Sequence, residues 1–280
     1  MAERGTYLDA DTGGFGSGDW VIVGAPLEET ACYGRGTSQG PAAIRSASEC
    51  LEDYCPIADR SLKDLSLVDI GDIPVNVVPF PKNLEFIRNA ITKIVGKRAR
   101  PMLLGGEHTV TLPAFEAVFE RHPDLCLIQF DAHADLRDDY EGDTFSHACV
   151  VKRIADLVGP ARIFQVGIRS GTREEWGWMR RHQTIYPSRP QGIDKLMERV
   201  GERPVYVTVD LDVLDPSVLP GTGTPEPGGT SFQGLDQLLR KLGALDVVAA
   251  DVVELSPPLD ASGVSNVTAS KIVRTMLLSL

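Results

Sequence analysis

The sequence predicts an α/β fold in which a parallel β-sheet is covered by helices on both faces. Two observations predict it. Short apolar runs alternate along the chain with segments whose apolar residues recur at helical spacing. The runs are also apolar throughout, as strands are when both faces of a sheet are buried. The 280 residues contain no internal repeat, low-complexity block or clear linker, so we expect one domain, residues 1–280.

Eight segments are predicted to be strands, and the one at 184–186 has the weakest signal. They span residues 20–24, 67–70, 102–104, 125–130, 163–166, 184–186, 205–209 and 247–253. The predicted helices span residues 41–51, 84–95, 112–119, 147–157, 174–181, 193–200, 232–242 and 265–278. In the second of these, Leu84, Ile87 and Ile91 follow helical spacing, so one apolar face is expected to pack on the sheet.

Composition narrows the classes of function and the cellular location. The formal net charge of -11 disfavours non-specific nucleic-acid binding, which needs a basic surface. The five cysteines are odd in number and lack zinc-site spacing, which indicates ordinary reduced thiols. Residues 1–19 lack the apolar core of a signal peptide, and no run approaches the roughly 18 apolar residues of a membrane span. We therefore expect a cytoplasmic protein without nucleic-acid or membrane partners.

Four of the predicted strands end in side chains that can bind metals or transfer protons. These side chains are His108 after 102–104, Asp131, His133 and Asp135 after 125–130, Asp210 and Asp212 after 205–209, and Glu254 after 247–253. Open α/β sheets bind ligands at the carboxyl ends of their strands, so we expect one shared site. Side chains two apart face the same way in extended chain, so those of Asp131, His133 and Asp135 converge if the strand continues that far.

The clustered acids favour a site for two divalent cations. Four buried aspartates would repel one another without a compensating charge of about +4. Each motif alone has a structural explanation: the pair Asp210 and Asp212 could cap a turn, and His108 could be a satisfied core histidine. Three ligand-type groups in the five residues from Asp131 to Asp135 have few structural uses, however. The motifs together therefore favour a binuclear metal site.

The motifs GGEH, FDAHADL, SHA, VTVDLDVLDPSVLPGTGTPEPGG and VVELSPP resemble those of the ureohydrolases, the family of arginases and agmatinases. Looser similarity extends from VGAPLEETACYGRGTSQGPAAIR to the C-terminal helix. The resemblance implies a three-layer α/β/α arginase-like fold around a mostly parallel eight-stranded sheet. It also implies two manganese ions per chain and assembly into homotrimers or homohexamers.

The resemblance also implies how the metal ligands divide. One ion would be bound by His108, Asp131, Asp135 and Asp210, and the other by His133, Asp131, Asp210 and Asp212, so that Asp131 and Asp210 bridge. Ligand chemistry independently favours manganese, because the set is rich in oxygen and has no thiolate, although nickel, cobalt and zinc remain open. Related sequences more often have aspartate at Glu107, and its extra methylene would rearrange a contact beside His108.

For catalysis the resemblance implies hydrolysis of a guanidinium group to an amine and urea. His147 matches the family's proton-transfer histidine; the alternative is a helix-start histidine in contact with solvent. Glu254 matches the carboxylate that pairs with the guanidinium, and Asp135 is counted with them as a catalytic carboxylate. Thr224 is a candidate hydrogen-bond donor on the glycine- and proline-rich loop after Asp212. Glu226 is a further substrate-binding candidate, or a turn acid before a proline.

The stretch DLRDDYEGDTFSHA looks most like that of agmatinases, which implies agmatine, giving putrescine in polyamine biosynthesis. Arginases have asparagine where this chain has Arg137. Our favoured interpretation is that Arg137 pairs with a nearby acid (Asp138, Asp139 or Asp143) and touches no substrate. If Arg137 instead faces the pocket, a carboxylate-tailed substrate such as guanidinobutyrate becomes attractive. Glu174 and Glu175 could bind a cationic tail, but their spacing suits exposed acids at a helix start.

Other enzymes and other classes of protein remain as alternatives. Guanidinopropionate, guanidine, formiminoglutamate and arginine are further possible substrates on this fold. A catalytically silent relative is disfavoured because all six ligand-type residues and His147 are present. Deacetylases of similar architecture use one zinc and lack the paired aspartates. His122 and His182 match no motif and are interpreted as surface residues.

Overall fold

The computed structural model describes residues 5–76, 78–189 and 192–280. Its strands are β1 (Trp20–Ala25), β2 (Tyr54–Cys55), β3 (Arg60–Ser61), β4 (Leu67–Asp72), β5 (Arg100–Gly105), β6 (Cys126–Phe130), β7 (Ile163–Val166), β8 (Ile185–Tyr186), β9 (Val205–Asp210) and β10 (Val247–Val253). Its α-helices are α1 (Gly40–Ser48), α2 (Phe80–Gly96), α3 (Thr111–Phe119), α4 (Val150–Val158), α5 (Arg173–His182), α6 (Asp194–Val200), α7 (Phe232–Leu242) and α8 (Val264–Ser279).

Eight of the strands form one sheet in the order β4-β1-β5-β10-β9-β6-β7-β8. Each neighbouring pair within it is parallel. The eight-stranded parallel sheet predicted from the sequence is thus confirmed, including its weakest strand, β8. The small antiparallel pair β2 and β3 was not predicted, because two-residue strands leave no periodic signal.

Helices cover both faces of the sheet, which makes three layers. The side chains of alternate residues in each strand point to opposite faces of the sheet. In β1, Ile22 belongs to one core cluster, and Val21 and Val23 belong to the other. The first cluster packs against α1, α6, α7 and α8, and the second against α2, α3, α4 and α5. This arrangement explains why the strands are apolar throughout. It confirms the three-layer α/β/α fold.

The helices begin and end within a few residues of their predicted bounds. The largest difference is at α2, which begins at Phe80 rather than at residue 84. At 147–157, His147–Cys149 is a 3-10 turn and α4 starts only at Val150. Similar 3-10 turns follow β5 at His108–Val110 and β9 at Leu211–Val213. None of the helices in the described part of the chain has both the length and the apolar character needed to cross a membrane.

Candidate metal centre and active site

The four strands that carry the ligand-type side chains are neighbours in the middle of the sheet. Their order is β5-β10-β9-β6, and all four point the same way. His108 follows β5, Glu254 follows β10, Asp210 ends β9 and Asp131 follows β6. The expectation that one edge of the sheet collects these groups is therefore met by adjacent strands rather than by distant ones.

His108 lies at the centre of the first group of side chains. Its Nδ1 atom lies 3.0 Å from Asp135 Oδ2, 3.2 Å from Asp131 Oδ2 and 3.4 Å from Asp210 Oδ2. The imidazole is buried, and so are all three carboxylates. Ligand atoms of His108, Asp131 and Asp135 all lie within 4.8 Å of one another, which is close enough to share one cation.

The second group surrounds His133. Its Nδ1 lies 2.8 Å from Asp212 Oδ2 and 3.7 Å from Asp131 Oδ1. Asp131, His133 and Asp212 likewise place ligand atoms within 4.8 Å of one another. Asp131 belongs to both groups, one oxygen facing each. His133 is partly exposed, unlike His108, so the second group lies on the solvent side of the first.

The side chains converge, but not through extended chain as expected. β6 ends at Phe130, and Asp135 has a left-handed backbone with φ of 51°. Asp212 likewise lies in a 3-10 turn, with its N–H bound to Asp210 Oδ1 at 2.9 Å. The condition that the strand continues through Asp135 is not met: beyond Phe130 only an isolated bridge from His133 to Ser170 remains, and His133 N binds Asp131 Oδ1.

Burial and mutual repulsion shift the pKa values of these clustered acidic groups. Burial, together with the charges of Asp135 and Asp212, raises the pKa of Asp131 to about 7. Burial likewise raises the pKa of Asp210 well above its usual range. Burial alone would lower the pKa of His133, but contact with Asp212 and the neighbouring charges raise it to about 11. Without a metal, the cluster therefore compensates by holding protons.

One further observation indicates that these donor atoms suit a divalent cation. Among the described residues, His108 Nδ1 is a buried nitrogen without a properly directed hydrogen bond, although three carboxylates surround it. The other ring nitrogen, Nε2, lies 3.0 Å from Thr208 Oγ1. Binding Nε2–H there leaves the Nδ1 lone pair aimed at the carboxylates, as a metal ligand requires. Oxygen and imidazole donors without thiolate suit manganese.

A layer of buried polar residues behind the cluster was missed by the sequence reasoning. Gln129 Nε2 donates to Asp131 Oδ2 at 2.7 Å, and Gln165 in turn donates to Gln129 Oε1 at 2.8 Å. Behind His108, the Asp251 carboxylate accepts bonds from Thr111 and Tyr206. The available signal was polar residues inside otherwise apolar strands, since buried polar groups need partners.

A cavity of about 350 Å³ opens over the cluster. Its lining includes His108, His133, Asp135, Asp210 and Glu254. The side chains of Cys32, Arg137, Tyr140, His147, Glu175 and Thr224 also belong to the lining and are called the upper wall. This volume suits a small linear substrate rather than a polymer. His122 and His182 do not contribute to its lining.

His147 stands on the cavity wall, at the first turn before α4. Its Nδ1 lies 3.1 Å from Thr30 Oγ1, and its Nε2 lies 3.6 Å from Cys32 Sγ. The ring of Tyr140 packs edge-on against the imidazole, with 5.7 Å between ring centroids. His147 therefore faces the cavity with one nitrogen and the protein with the other.

Glu254 reaches the cavity from the end of β10. Its Oε1 accepts the main-chain N–H of His108 at 2.7 Å, and its own backbone is left-handed, with φ of 64°. Burial raises the pKa of Glu254 to about 8, and the charge of Glu107 adds to the rise. A guanidinium at this carboxylate would lower that pKa again, since a nearby cation favours the ionised form. Strained backbone of this kind recurs at functional sites.

The glycine- and proline-rich loop contributes one side chain to the cavity and turns another away. Thr224 lines the cavity, with its Oγ1 3.5 Å from Asp212 Oδ2. Glu226 is not part of the lining; its main-chain carbonyl accepts bonds from Arg169, which also donates to the carbonyl of Asp212. A role for Glu226 in substrate binding stays a prediction.

Arg137 faces the cavity, contrary to the favoured interpretation. Its guanidinium lies over the Tyr140 ring, 4.8 Å from the centroid. Asp138 instead pairs with Lys152 at 3.0 Å. In the segments that the structure describes, no carboxylate lies within 4.0 Å of the Arg137 guanidinium. Asp138 finds its cations, Lys152 and Arg153, on α4, and Asp139 and Asp143 accept main-chain N–H groups of the loop, so the predicted loop pairing is wrong.

Glu175 also differs from its expected position. Glu174 is exposed, as expected for an acid at a helix start, but Glu175 is buried and lines the cavity. Its carboxylate accepts the N–H of Leu136 at 3.0 Å and that of Thr172 at 2.6 Å. Both partners are neutral, so the carboxylate brings an unbalanced negative charge to the upper wall of the cavity.

Comparisons with known proteins agree with this geometry. The family model described as the arginase family matches residues 18–279. An agmatinase of Bacillus cereus is 41% identical over 262 residues, which cover 92% of this chain and 90% of that protein. A guanidinobutyrase of Pseudomonas aeruginosa is 32% identical, covering 94% of this chain and 86% of that protein.

A solved structure has nearly the same fold. Proclavaminate amidino hydrolase of Streptomyces clavuligerus superposes with a TM-score of 0.91 at 32% sequence identity, over 99% of this chain and 97% of that one. The similarity therefore includes every strand that contributes to the cluster.

Proposed function

This chain belongs to the arginase family and is a hydrolase of guanidino compounds, and we propose that it hydrolyses agmatine to putrescine and urea. One observation carries the proposal: His108, Asp131, His133, Asp135, Asp210 and Asp212 converge below a cavity that also presents Glu254 and His147. Four relatives named agmatinase that are 39–41% identical support agmatine as the substrate.

We propose that the six converging side chains bind two manganese ions, divided as the resemblance implies. Asp131 presents one oxygen to each group, which supports its role as a bridge. Asp210 lies 3.4 Å from His108 and binds the N–H of Asp212, which supports a place between the two groups. When bound, the cations supply a nucleophilic hydroxide near neutral pH.

The chain's own residues bind and orient the substrate. The Glu254 carboxylate pairs with the guanidinium of agmatine and directs its central carbon toward the cluster. Thr224 and the surrounding walls restrict the methylene chain to one path. The ammonium at the far end lies toward the upper wall, where the Glu175 carboxylate has only neutral partners.

His147 completes the reaction by protonating the leaving amine. Hydrolysis breaks the bond between carbon and the chain-bearing nitrogen, and that nitrogen must leave as an amine. His147 Nε2 faces the cavity and can give it a proton, which solvent then replaces. The overall change is agmatine plus water giving putrescine plus urea, with no net gain or loss of protons when the amine is counted as ammonium.

A second candidate substrate is 4-guanidinobutyrate, favoured by the position of Arg137. This guanidinium lines the cavity without a carboxylate partner among the described residues, and a substrate carboxylate would satisfy it. The similarity to a guanidinobutyrase points the same way. Glu175 and Arg137 thus offer opposite charges to the tail of the substrate. Whichever charge lies closer to that tail favours agmatine or 4-guanidinobutyrate, respectively.

Urea release tests the proposal directly. The manganese-loaded protein is assayed with agmatine, 4-guanidinobutyrate, 3-guanidinopropionate, guanidine and arginine, and with formiminoglutamate for formamide release. We expect agmatine to give the highest kcat/KM. A higher value for guanidinobutyrate would establish the second candidate, and no release from any compound would contradict a hydrolytic function.

Three further features stay proposals. We propose that residues 1–280 form one domain, that the chains assemble into trimers or hexamers, and that the protein works in the cytoplasm, in polyamine biosynthesis. Light scattering after size-exclusion chromatography would show the oligomer directly. A monomer would contradict the assembly without affecting the chemistry.

A further inference from the structure

A buried carboxylate lies one hydroxyl group behind His147. Glu107 is fully buried, in the turn between β5 and His108. Its Oε2 accepts the main-chain N–H groups of Glu29 at 2.8 Å and Thr30 at 2.7 Å. Its Oε1 accepts the hydroxyl of Thr30 at 3.1 Å. The same hydroxyl oxygen lies 3.1 Å from His147 Nδ1, so a continuous chain of hydrogen bonds joins Glu107 to the imidazole.

The protons available to these hydrogen bonds determine the tautomer of His147. A threonine hydroxyl has one proton to donate and accepts up to two hydrogen bonds. Thr30 gives its proton to Glu107. Its remaining neighbours are the main-chain N–H of His147 at 3.1 Å, which can only donate, the Thr109 hydroxyl at 3.5 Å, which can also donate, and the ring Nδ1 at 3.1 Å. Nδ1 must therefore carry a proton, and the lone pair of the neutral ring lies on Nε2.

The other groups that face the imidazole leave Nε2 available. Ser146 Oγ lies 3.3 Å from Nδ1 and can accept from it as well. On the cavity side, the Cys32 thiol at 3.6 Å is only a weak donor, and Tyr140 contacts the ring by its edge. Nε2 is thus the atom through which a proton reaches the cavity.

We propose, resting on the guanidino hydrolysis proposed above, that Glu107 and Thr30 are positioning residues that fix the Nδ1–H tautomer of His147 so that Nε2 transfers the proton. A carboxylate that orients an imidazole through its second nitrogen is a general device of proton-transfer catalysis. Here the carboxylate acts through a hydroxyl. The length of the glutamate side chain gives its carboxylate the reach to the Thr30 hydroxyl.

The substitution Glu107→Gln should reverse the direction of the hydrogen bonds between residue 107, Thr30 and His147, because glutamine has the shape of glutamate but donates through its amide. Two main-chain N–H groups point at the Oε2 position, so the amide oxygen of glutamine must occupy it. The amide NH₂ then faces Thr30 and donates to its hydroxyl oxygen. The threonine proton must turn toward His147 Nδ1, which forces the opposite tautomer. We expect kcat to fall at least about 10-fold, with unchanged KM and metal content.

Thr30→Val removes the link and should also lower kcat roughly 10-fold, the kinetic equivalent of one hydrogen bond. Thr30→Ser keeps the hydroxyl and should recover most of the loss. Thr109→Val is a partial control, because the buried Thr109 hydroxyl lies 3.5 Å from that of Thr30 and also hydrogen-bonds Glu107, but does not contact His147. It should lower kcat less than Thr30→Val does.

A double-mutant cycle separates positioning from structural damage. In a His147→Ala background, Glu107→Gln and Thr30→Val should cost nothing further, because they act only through the imidazole. Equal losses in both backgrounds, or loss of metal together with kcat, would overturn the proposal. Nitrogen NMR of the zinc-loaded protein, which is diamagnetic, gives an answer independent of turnover. Native His147 should be protonated at Nδ1, and Glu107→Gln should move the proton to Nε2.

These measurements distinguish the two proposals. If no guanidino compound is hydrolysed but native Nδ1 is protonated through Thr30, the hydrolysis fails and the hydrogen-bond chain stands. If hydrolysis is observed but His147 Nδ1 in the native protein carries no proton, the assignment of Glu107 and Thr30 as positioning residues is wrong.

Discussion

The floor and the rim of the cavity are built in different ways. The floor consists of the six ligand-type residues His108, Asp131, His133, Asp135, Asp210 and Asp212, held at the ends of neighbouring central strands and, except for His133, buried. The rim consists of Cys32, Arg137, Tyr140 and His147, carried by loops and at least partly exposed. We propose that the floor determines which reaction is possible, and that the rim determines when protons move and which substrate fits.

The most severe way to break the floor is to remove a bridging carboxylate. Asp131→Asn or Asp210→Asn should lose both manganese ions or nearly so, and with them almost all activity, because each is proposed to contact both ions. Metal analysis after gel filtration measures this. Asp139→Asn makes the same charge change on an exposed loop residue and should keep about two ions. Full metal content in either floor variant would contradict the bridging assignment.

On the rim, the largest effect is expected from His147. His147→Ala should lower kcat by roughly 10²–10⁴-fold, the usual scale for a positioned acid or base. Metal content should not change, because the imidazole lies outside both ligand groups. His182→Ala, at a histidine that packs on Trp178 outside the cavity, is the control. Unchanged turnover in His147→Ala would show that another group protonates the amine.

Substrate choice tests the upper part of the cavity, with a smaller effect. Agmatine should exceed arginine in kcat/KM by at least about 10²-fold. Arginine carries a carboxylate and an ammonium on one carbon, and each buried polar group left unpaired costs ~1–3 kcal/mol. Steady-state urea release measures the ratio. A preference for arginine would refute agmatine as the substrate.

Replacing Arg137 distinguishes the two candidate substrates. If the guanidinium binds a substrate carboxylate, Arg137→Ala should reduce guanidinobutyrate turnover selectively and spare or improve that of agmatine. If it only supports the rim by stacking on Tyr140, all substrates should weaken alike. Arg153→Ala is the matched control, because that guanidinium pairs with Asp138 and Asp156 on the surface.

The smallest expected effect is a pH dependence of metal stabilisation. The pKa of Asp131 is raised to about 7 in the folded chain, above its unfolded value of about 3.9. Stability from its protonated form is complete below about pH 4 and is lost as the pH rises through about 7. The raised pKa of His133, about 11, adds stability that is present below about 6.5 and lost as the pH rises toward 11.

The metal-free protein should therefore weaken as the pH rises, while metal binding strengthens, because these ligands must release protons. At manganese 100 times above its dissociation constant, binding adds about 2.7 kcal/mol, roughly 5 °C in Tm. Calorimetry at a fixed manganese concentration should find a larger increase in Tm at pH 8 than at pH 6. An increase that is equal or larger at pH 6 would contradict the shifted pKa of Asp131.

Much of the floor could be predicted from the sequence because its signals are local. An apolar run followed by acids or a histidine marks the end of a buried strand, and the ends of parallel strands meet at one edge. The strands that carry His108, Asp131, Asp210 and Glu254 were predicted in this way. The assignment of ligands to two metal ions came from the resemblance to ureohydrolases. The backbone conformation of the loop after β6 was not predicted, because the left-handed backbone at Asp135 has no signature in the sequence.

The layers of the fold, the strands of the sheet and the chemical type of the cavity floor were predictable from the amino-acid sequence, because apolar periodicity and strand-end residues are properties of neighbours along the chain. Three features depend on how distant segments pack: Arg137 faces the cavity, Glu175 is buried in its wall, and Thr30 joins Glu107 to His147. These contacts join residues up to 117 positions apart. Which loop packs against which depends on the order of the strands in space, and a hydrogen bond between loops leaves no periodic pattern in either of them.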